Sequence, residues 1–191
     1  MYRWFRLCAL LSMLAALVAL SALPAGAVGD VVEVTLVHDT NLRGDFGGDV
    51  NLAHYAALVE QIRSRKPAAL FLGGGDDIAP SAISSLFRGI HMIEALGAAG
   101  LDVNTFGNHE FDYGPDNLAG LIAQSPFAWV SANVIDRRTG EVFGKDRGAE
   151  RFVIRDVGGV RVGITGISFR DLPSSSRTGP DVAVLDPEEA L

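Results

Sequence analysis

Three short polar groups carry the residue types that could do chemistry: His38-Asp39-Thr40-Asn41-Leu42-Arg43-Gly44, Gly74-Gly75-Asp76-Asp77, and the octet Gly107-Asn108-His109-Glu110-Phe111-Asp112-Tyr113-Gly114. Carboxylate and amide oxygens are the ligands that hard divalent cations take, and the flanking glycines let backbone approach a site closely. Any one group alone reads as turn chemistry, with Asp and Asn bonding their own backbone. Three such groups after successive apolar runs read as a site. Competing chemistries fail on inspection. His109-Glu110 has Tyr113 where a zinc-protease helix needs its second His. Gly73-Gly74-Gly75 lacks the Gly-Lys-Ser/Thr of a phosphate loop, and neither G-x-G-x-x-G after a strand nor G-x-S-x-G occurs. Of the four His, His54 lies off the apolar stripe of its helix and His91 opens one, so both read as structural surface groups. His109 alone has acids and an amide around it.

The elements that must hold these groups alternate β-rich runs with helical patterns, which predicts an α/β layering. Residues 31–38 read as a strand. Residues 51–65 read as a helix, with Leu52, Tyr55, Val59 and Ile62 forming one buried stripe. A wholly apolar strand is expected at 68–72, helix at 81–96 with a break near Gly89, and a third strand at 101–106. Pro115 starts a helix where its missing N–H costs nothing. A fourth strand is expected at 127–132, and 152–157 with 160–167 should form a hairpin across Gly158-Gly159. Residues 186–191 read as the first turn of a helix. Parallel strands would put all three polar groups on one sheet edge, where open α/β folds bind ligands.

The 191 residues are 48% hydrophobic and 20% charged, which excludes a disordered chain, and they suffice for one domain. Sixteen Lys and Arg against 23 Asp and Glu give a net charge of −7, which repels nucleic acid. At the N-terminus, Arg3 and Arg6 precede an apolar run to Leu23, then Pro24 and Ala25-Gly26-Ala27. This is the pattern of a cleaved secretory signal, residues 1–27. Export to the periplasm or the exterior, with no stable membrane insertion after cleavage, is the expectation. The single Cys, Cys8, would leave with the signal, so disulfide chemistry is not expected.

The octet 107–114, G-N-H-E-F-D-Y-G, resembles the signature of calcineurin-like metallophosphoesterases, specifically the exported bacterial 5′-nucleotidase/UDP-sugar hydrolase family. The resemblance runs from Val31 to the end of the chain. Gly75-Asp76 matches the Gly-Asp step, residues 87–96 the following helix, Ser131-Ala132-Asn133-Val134 the next strand end, and 159–167 a late strand. The implied fold is a layered β-sheet sandwich flanked by helices, with 28–191 as the N-terminal part of the catalytic domain and the fold incomplete at its C-terminus. The implied activity is hydrolysis of phosphate esters with two divalent metal ions, Mn, Zn or Co, about 4 Å apart. In that scheme Asp76 bridges both metals, Asn108 ligates the second through its amide oxygen, and Asp39 or Asn41 serves the first. His109 is the catalytic imidazole that protonates the departing alkoxide, and Asp112 holds its ring. Water polarised by the cations is the nucleophile.

The sequence departs from the family in two places. The family's Asp-x-His pair after the first strand has no match. Aligned on Asp39, Asn41 replaces the His; aligned on His38 and Gly44, Asn41 replaces the Asp and Arg43 the His. The later Gly-His and Gly-His-x-His ligands, and the C-terminal domain that grips the nucleoside, would follow Leu191. Two readings result: the N-terminal catalytic part of an exported phosphoesterase acting on a nucleotide or other small phosphate ester, or a truncated, inactive relic with weak or no metal binding. Nucleoside monophosphates, UDP-sugars and cyclic phosphodiesters all remain open as substrates.

Overall fold

The computed structural model describes residues 31–45, 47 and 51–190. The expected signal, 1–27, lies outside the described residues. The unit Val34–Leu191 is compact. Its centre is a four-stranded parallel sheet in the order β1 (Leu36–Asp39), β2 (Leu70–Gly73), β3 (Val103–Asn104), β4 (Ala128–Trp129). Register pairs Asp39 with Gly73, Leu72 with Val103 and Asn104 with Trp129. The parallel order brings the three polar groups, each following a strand, to one edge as the sequence predicts.

Helices return the chain between these strands. Helix α1 (Leu52–Arg65) starts at Asn51, whose side chain accepts the His54 N–H at 3.1 Å, an N-cap bond that satisfies an otherwise orphan donor. Val59 of the predicted stripe is fully buried, and Leu52 and Tyr55 pack against the core. The expected helical stretch at 81–96 is two helices, α2 (Ala82–Phe87) and α3 (Ile90–Ala98). The break falls at Arg88 and Gly89, both left-handed. A Cβ on Gly89 would lie 2.1 Å from Ile78 Cγ2, so close packing as well as φ demands glycine there. Helix α4 (Pro115–Gln124) begins at Pro115 as expected.

Beyond β4 lie two small antiparallel sheets. The hairpin β6 (Val153–Val157) and β7 (Val160–Ile164) turns at Gly158-Gly159 as predicted, leaving Phe152 and Ile154 exposed. Strand β5 (Val134–Asp136) pairs with β8 (Val182–Val184), a pairing three residues long and 46 to 50 positions apart that no periodicity announces. Between them is the short helix α5 (Leu172–Ser175), and α6 (Pro187–Ala190) is the single turn read at the end of the sequence. Asn133, just before β5, is fully buried; it donates to Ser168 O at 2.7 Å and accepts from Ser168 N–H at 2.9 Å.

An aromatic cluster lies directly beneath the polar edge. Phe106 stacks on Trp129 at 5.4 Å between centroids and meets Phe143 edge-on at 6.0 Å. Phe111 lies 6.1 Å from Phe106. Phe106 and Phe111 bracket residues 107–110, so the turn carrying the polar octet is anchored in the core on both sides.

Candidate active site

The loop after β1 runs beside the loop after β2 and is joined to it through the backbone. The N–H groups of Asn41, Arg43 and Gly44 donate to the carbonyls of Gly75, Asp76 and Asp77 at 3.0, 2.9 and 2.8 Å. Asn41, Arg43 and Asp76 adopt positive φ of 61, 55 and 61°, a conformation that costs a non-glycine residue free energy and clusters at functional sites.

The loops after β2 and β3 touch backbone to backbone. A Cβ on Gly75 would lie 2.6 Å from Gly107 N, and one on Gly107 only 2.1 Å from Asp76 Oδ1. The octet forms a 3₁₀ turn at His109–Phe111. His109 is held twice: its N–H donates to Asp76 Oδ1 at 3.0 Å, and its Nδ1 lies 2.8 Å from Asp112 Oδ2. The three-residue spacing of His109 and Asp112 puts both on one side of the turn. Glu110 points the other way, inward, and is fully buried. Its Oε2 accepts from Asp76 N–H at 2.8 Å and Gly107 N–H at 2.7 Å, and its Oε1 from Asp77 N–H at 2.8 Å.

Carboxylates crowd this edge. Asp77 is fully buried, accepting from Leu42 N–H at 3.3 Å and from the Asn104 amide at 3.1 Å. Burial, then the nearby Asp39, raises its pKa. Glu110 is raised as well, by burial first and Asp77 second, against the pull of its N–H donors. Asp39 is 6% exposed, and neither of its carboxylate oxygens has a hydrogen-bond partner among the described residues. Burial pushes its carboxyl from 3.8 up to about 7.

Asp39, Asp76, Asn108, His109 and Asp112 are thus gathered at one sheet edge by β1, β2, β3 and the octet turn. Asn41 is not drawn in with Asp39: it is exposed, its amide nitrogen donating to Thr40 Oγ1 at 3.1 Å and its oxygen accepting from Arg43 at 3.3 Å. Asn108 does not use its side chain to cap the turn it precedes. His54 is exposed as expected, whereas His91 is half-buried with Nε2 3.1 Å from Gly44 O. Sequence reasoning gave no role to Asp77, Asn104 or Glu110. The available signal was their position: two acids in excess of the ligand and dyad assignments, inside the two most glycine-rich groups.

A divalent cation fits this donor set chemically. An unpartnered buried carboxylate is costly, and a cation at Asp39 would offset that cost. The donors are oxygens, which suit manganese-like ions better than zinc. Among the described residues no three His, Cys, Asp or Glu side chains form a group that could hold an ion, so a cation here would also draw on amide oxygens, water or substrate.

No family model matches the chain. Individual proteins do. The "Probable 5′-nucleotidase" of Treponema pallidum is 32% identical over 154 residues, which are 78% of this chain and 24% of that protein. The crystal structure of a 5′-nucleotidase precursor from Thermus thermophilus superposes with a TM-score of 0.74 at 32% identity, over 82% of this chain and 32% of that one. A calcineurin-like phosphoesterase of Bacillus subtilis shares the fold, with a TM-score of 0.64 at 23% identity over 82% of this chain and 55% of that one. The chain spans about a quarter of the length of the curated relative.

Proposed function

Because this stretch of chain belongs to the calcineurin-like metallophosphoesterases, within their 5′-nucleotidase family, we propose that it forms the N-terminal part of the catalytic domain of a divalent-metal-dependent hydrolase of nucleotides. Asp39, Asp76 and Asn108 would hold the two cations, with Asn41 at the rim. When bound, the cations supply Lewis-acid polarisation of the phosphoryl group and of the attacking water. The observation that carries the reading is the double tether of His109, to Asp112 through Nδ1 and to Asp76 through its backbone N–H.

The tether sets the chemistry of the imidazole. With Nδ1 donating to Asp112, Nε2 is the nitrogen left to carry a proton and deliver it to the departing ester oxygen, after which the ring keeps one proton, at Nδ1. The backbone bond from His109 to Asp76 Oδ1 fixes the turn against a carboxylate that would help hold the cations. Phe106 and Phe111 beneath it keep the turn from shifting. No side chain of this chain needs to attack phosphorus.

The test uses the full-length protein with manganese, zinc or cobalt against 5′-AMP, a UDP-sugar and a chromogenic bis-phosphodiester. Replacing His109 by Asn should lower kcat by about 10²–10⁴-fold and leave metal content nearly unchanged, while Asn108→Ala should lower metal occupancy. Equal metal loss in both variants would exchange the assigned ligand and acid. A second reading, an inactive relative with weak cation binding, is favoured by the exposed Asn41 amide bonded to Thr40 and Arg43. Failure of the wild type to hydrolyse any of the three substrates with any of the three metals would establish it.

A further inference from the structure

We propose that Glu110 is the positioning residue of this site, a buried carboxylate that locks the β2 loop to the β3 loop and thereby sets Asp76 against Asn108 and His109. The inference rests on the proposed function for its catalytic consequence and on geometry for the rest.

Glu110 accepts three backbone N–H groups, at 2.7–2.8 Å, from residues on two different loops: Asp76 and Asp77 after β2, and Gly107 after β3. These are the donors nearest the candidate ligands in the chain, since Asp76 is itself one ligand and Gly107 precedes Asn108. The loops are already in backbone contact at Gly75 and Gly107, with no room for a Cβ on either. Three amides crowded at such a contact would be left without partners, and an unsatisfied buried donor carries the full cost of desolvation. One carboxyl group, with its two oxygens, satisfies all of them. A further tie between the loops, His109 N–H to Asp76 Oδ1, then depends on the registry that Glu110 sets. Phe111, the next residue, is fully buried in the aromatic cluster, so the lock is rooted in the core.

The side chain is fully buried and spends both oxygens on backbone, so it neither meets substrate nor serves as a cation ligand. Its effect is transmitted through Asp76 and the octet turn. Loss of residues that orient metal ligands lowers affinity or activity by about 10–100-fold, and that range is expected here. In Glu110→Gln, an amide oxygen placed at Oε2 keeps the Asp76 and Gly107 donors but turns an NH₂ toward the Asp77 N–H. Glu110→Asp keeps the carboxyl group and retracts it.

The experiment compares wild type, Glu110→Gln and Glu110→Asp with Leu118→Ala, a core control on α4 outside the two loops. Three quantities are read: amide hydrogen exchange at residues 76, 77 and 107; the ¹⁵N shifts of the His109 imidazole; and manganese affinity by titration. Glu110→Gln should lose protection at Asp77 first, shift the His109 signals and bind manganese about 10–100-fold more weakly, with kcat falling more than KM rises. Glu110→Asp should retain more of each than Glu110→Gln. Leu118→Ala should lose stability yet keep wild-type manganese affinity and His109 shifts. Wild-type manganese affinity and His109 shifts in Glu110→Gln, whatever its stability, would overturn the proposal. A wild type that binds no manganese and hydrolyses nothing would instead remove the proposed function, and the lock would stand or fall on the exchange and imidazole readings.

Discussion

The sharpest consequence of this site concerns Asp39 without a cation. Its carboxylate is buried with neither oxygen bonded among the described residues, and its pKa is raised from 3.8 to about 7 by burial. For an acid with a raised folded-state pKa, the folded protein binds the proton more tightly than the unfolded chain does. Stability is therefore greatest below about pH 4 and is lost as pH rises through about 7. At about 1.4 kcal/mol per pH unit, the gap between the two values amounts to about 4 kcal/mol once pH exceeds 7. Asp39→Asn removes this dependence, because asparagine has the shape of the neutral acid and never ionises. Both amide and protonated acid lack partners, so the two proteins should agree within about 1 kcal/mol at pH 4. At pH 8 the variant should be the more stable, by up to about 4 kcal/mol. The assay is urea unfolding of chelator-treated full-length protein at pH 4, 6 and 8, followed by far-UV circular dichroism and the fluorescence of buried Trp129. Manganese at a thousand times its Kd should then close the gap at pH 8, since it adds about 4.1 kcal/mol to the protein that binds it. A stability difference that does not change with pH would refute the burial argument, and equal manganese stabilisation of both proteins would remove Asp39 from the cation site.

Two further outcomes are expected. Gly107→Ala places a methyl group 2.1 Å from Asp76 Oδ1; it should cost about 1–3 kcal/mol as overpacking and weaken manganese binding, whereas Gly120→Ala, in α4 with nothing near its Cβ position, should stabilise by about 0.5–1 kcal/mol, both read by urea midpoints and metal titration. The export signal proposed for residues 1–27 predicts that protein recovered from the periplasm or medium begins at Val28, and N-terminal sequencing that returns Met1 from a membrane fraction would reject it.

Much of the scaffold is written in local chemistry. The stripe through Val59, the proline at the start of α4 and the paired glycines of the β6–β7 hairpin each act over a few residues, so a linear reading finds them. The strands proved shorter than their apolar runs. Residues 101–106 pair only at Val103–Asn104, because the chain leaves the ladder to form loops whose backbone bonds to other loops instead. The β5–β8 pair was not legible because its partners are distant and three residues long. Within the candidate site, the three polar groups and the His109–Asp112 spacing were readable, since both are local. The roles of Asp77, Asn104 and Glu110 were not, because each is defined by a backbone group more than 25 positions away.

The strain in this molecule falls where the local rules fail. Four non-glycine residues among those described have positive φ, and three of them, Asn41, Arg43 and Asp76, lie in the β1 and β2 loops. Side-chain identity does not demand left-handed backbone at Arg43 or Asp76. The bonds from Arg43 N–H to Asp76 O and from Asn41 N–H to Gly75 O do, because they hold the β1 loop alongside the β2 loop over the sheet edge. Each such residue costs of order 1–3 kcal/mol, a cost the aromatic cluster beneath and the Glu110 lock must offset. A loop without a task could relax out of this geometry by losing two hydrogen bonds to solvent. That it stays wound, with an unpartnered carboxylate at Asp39 below it, is consistent with a backbone shaped to present oxygen donors rather than to minimise its own energy.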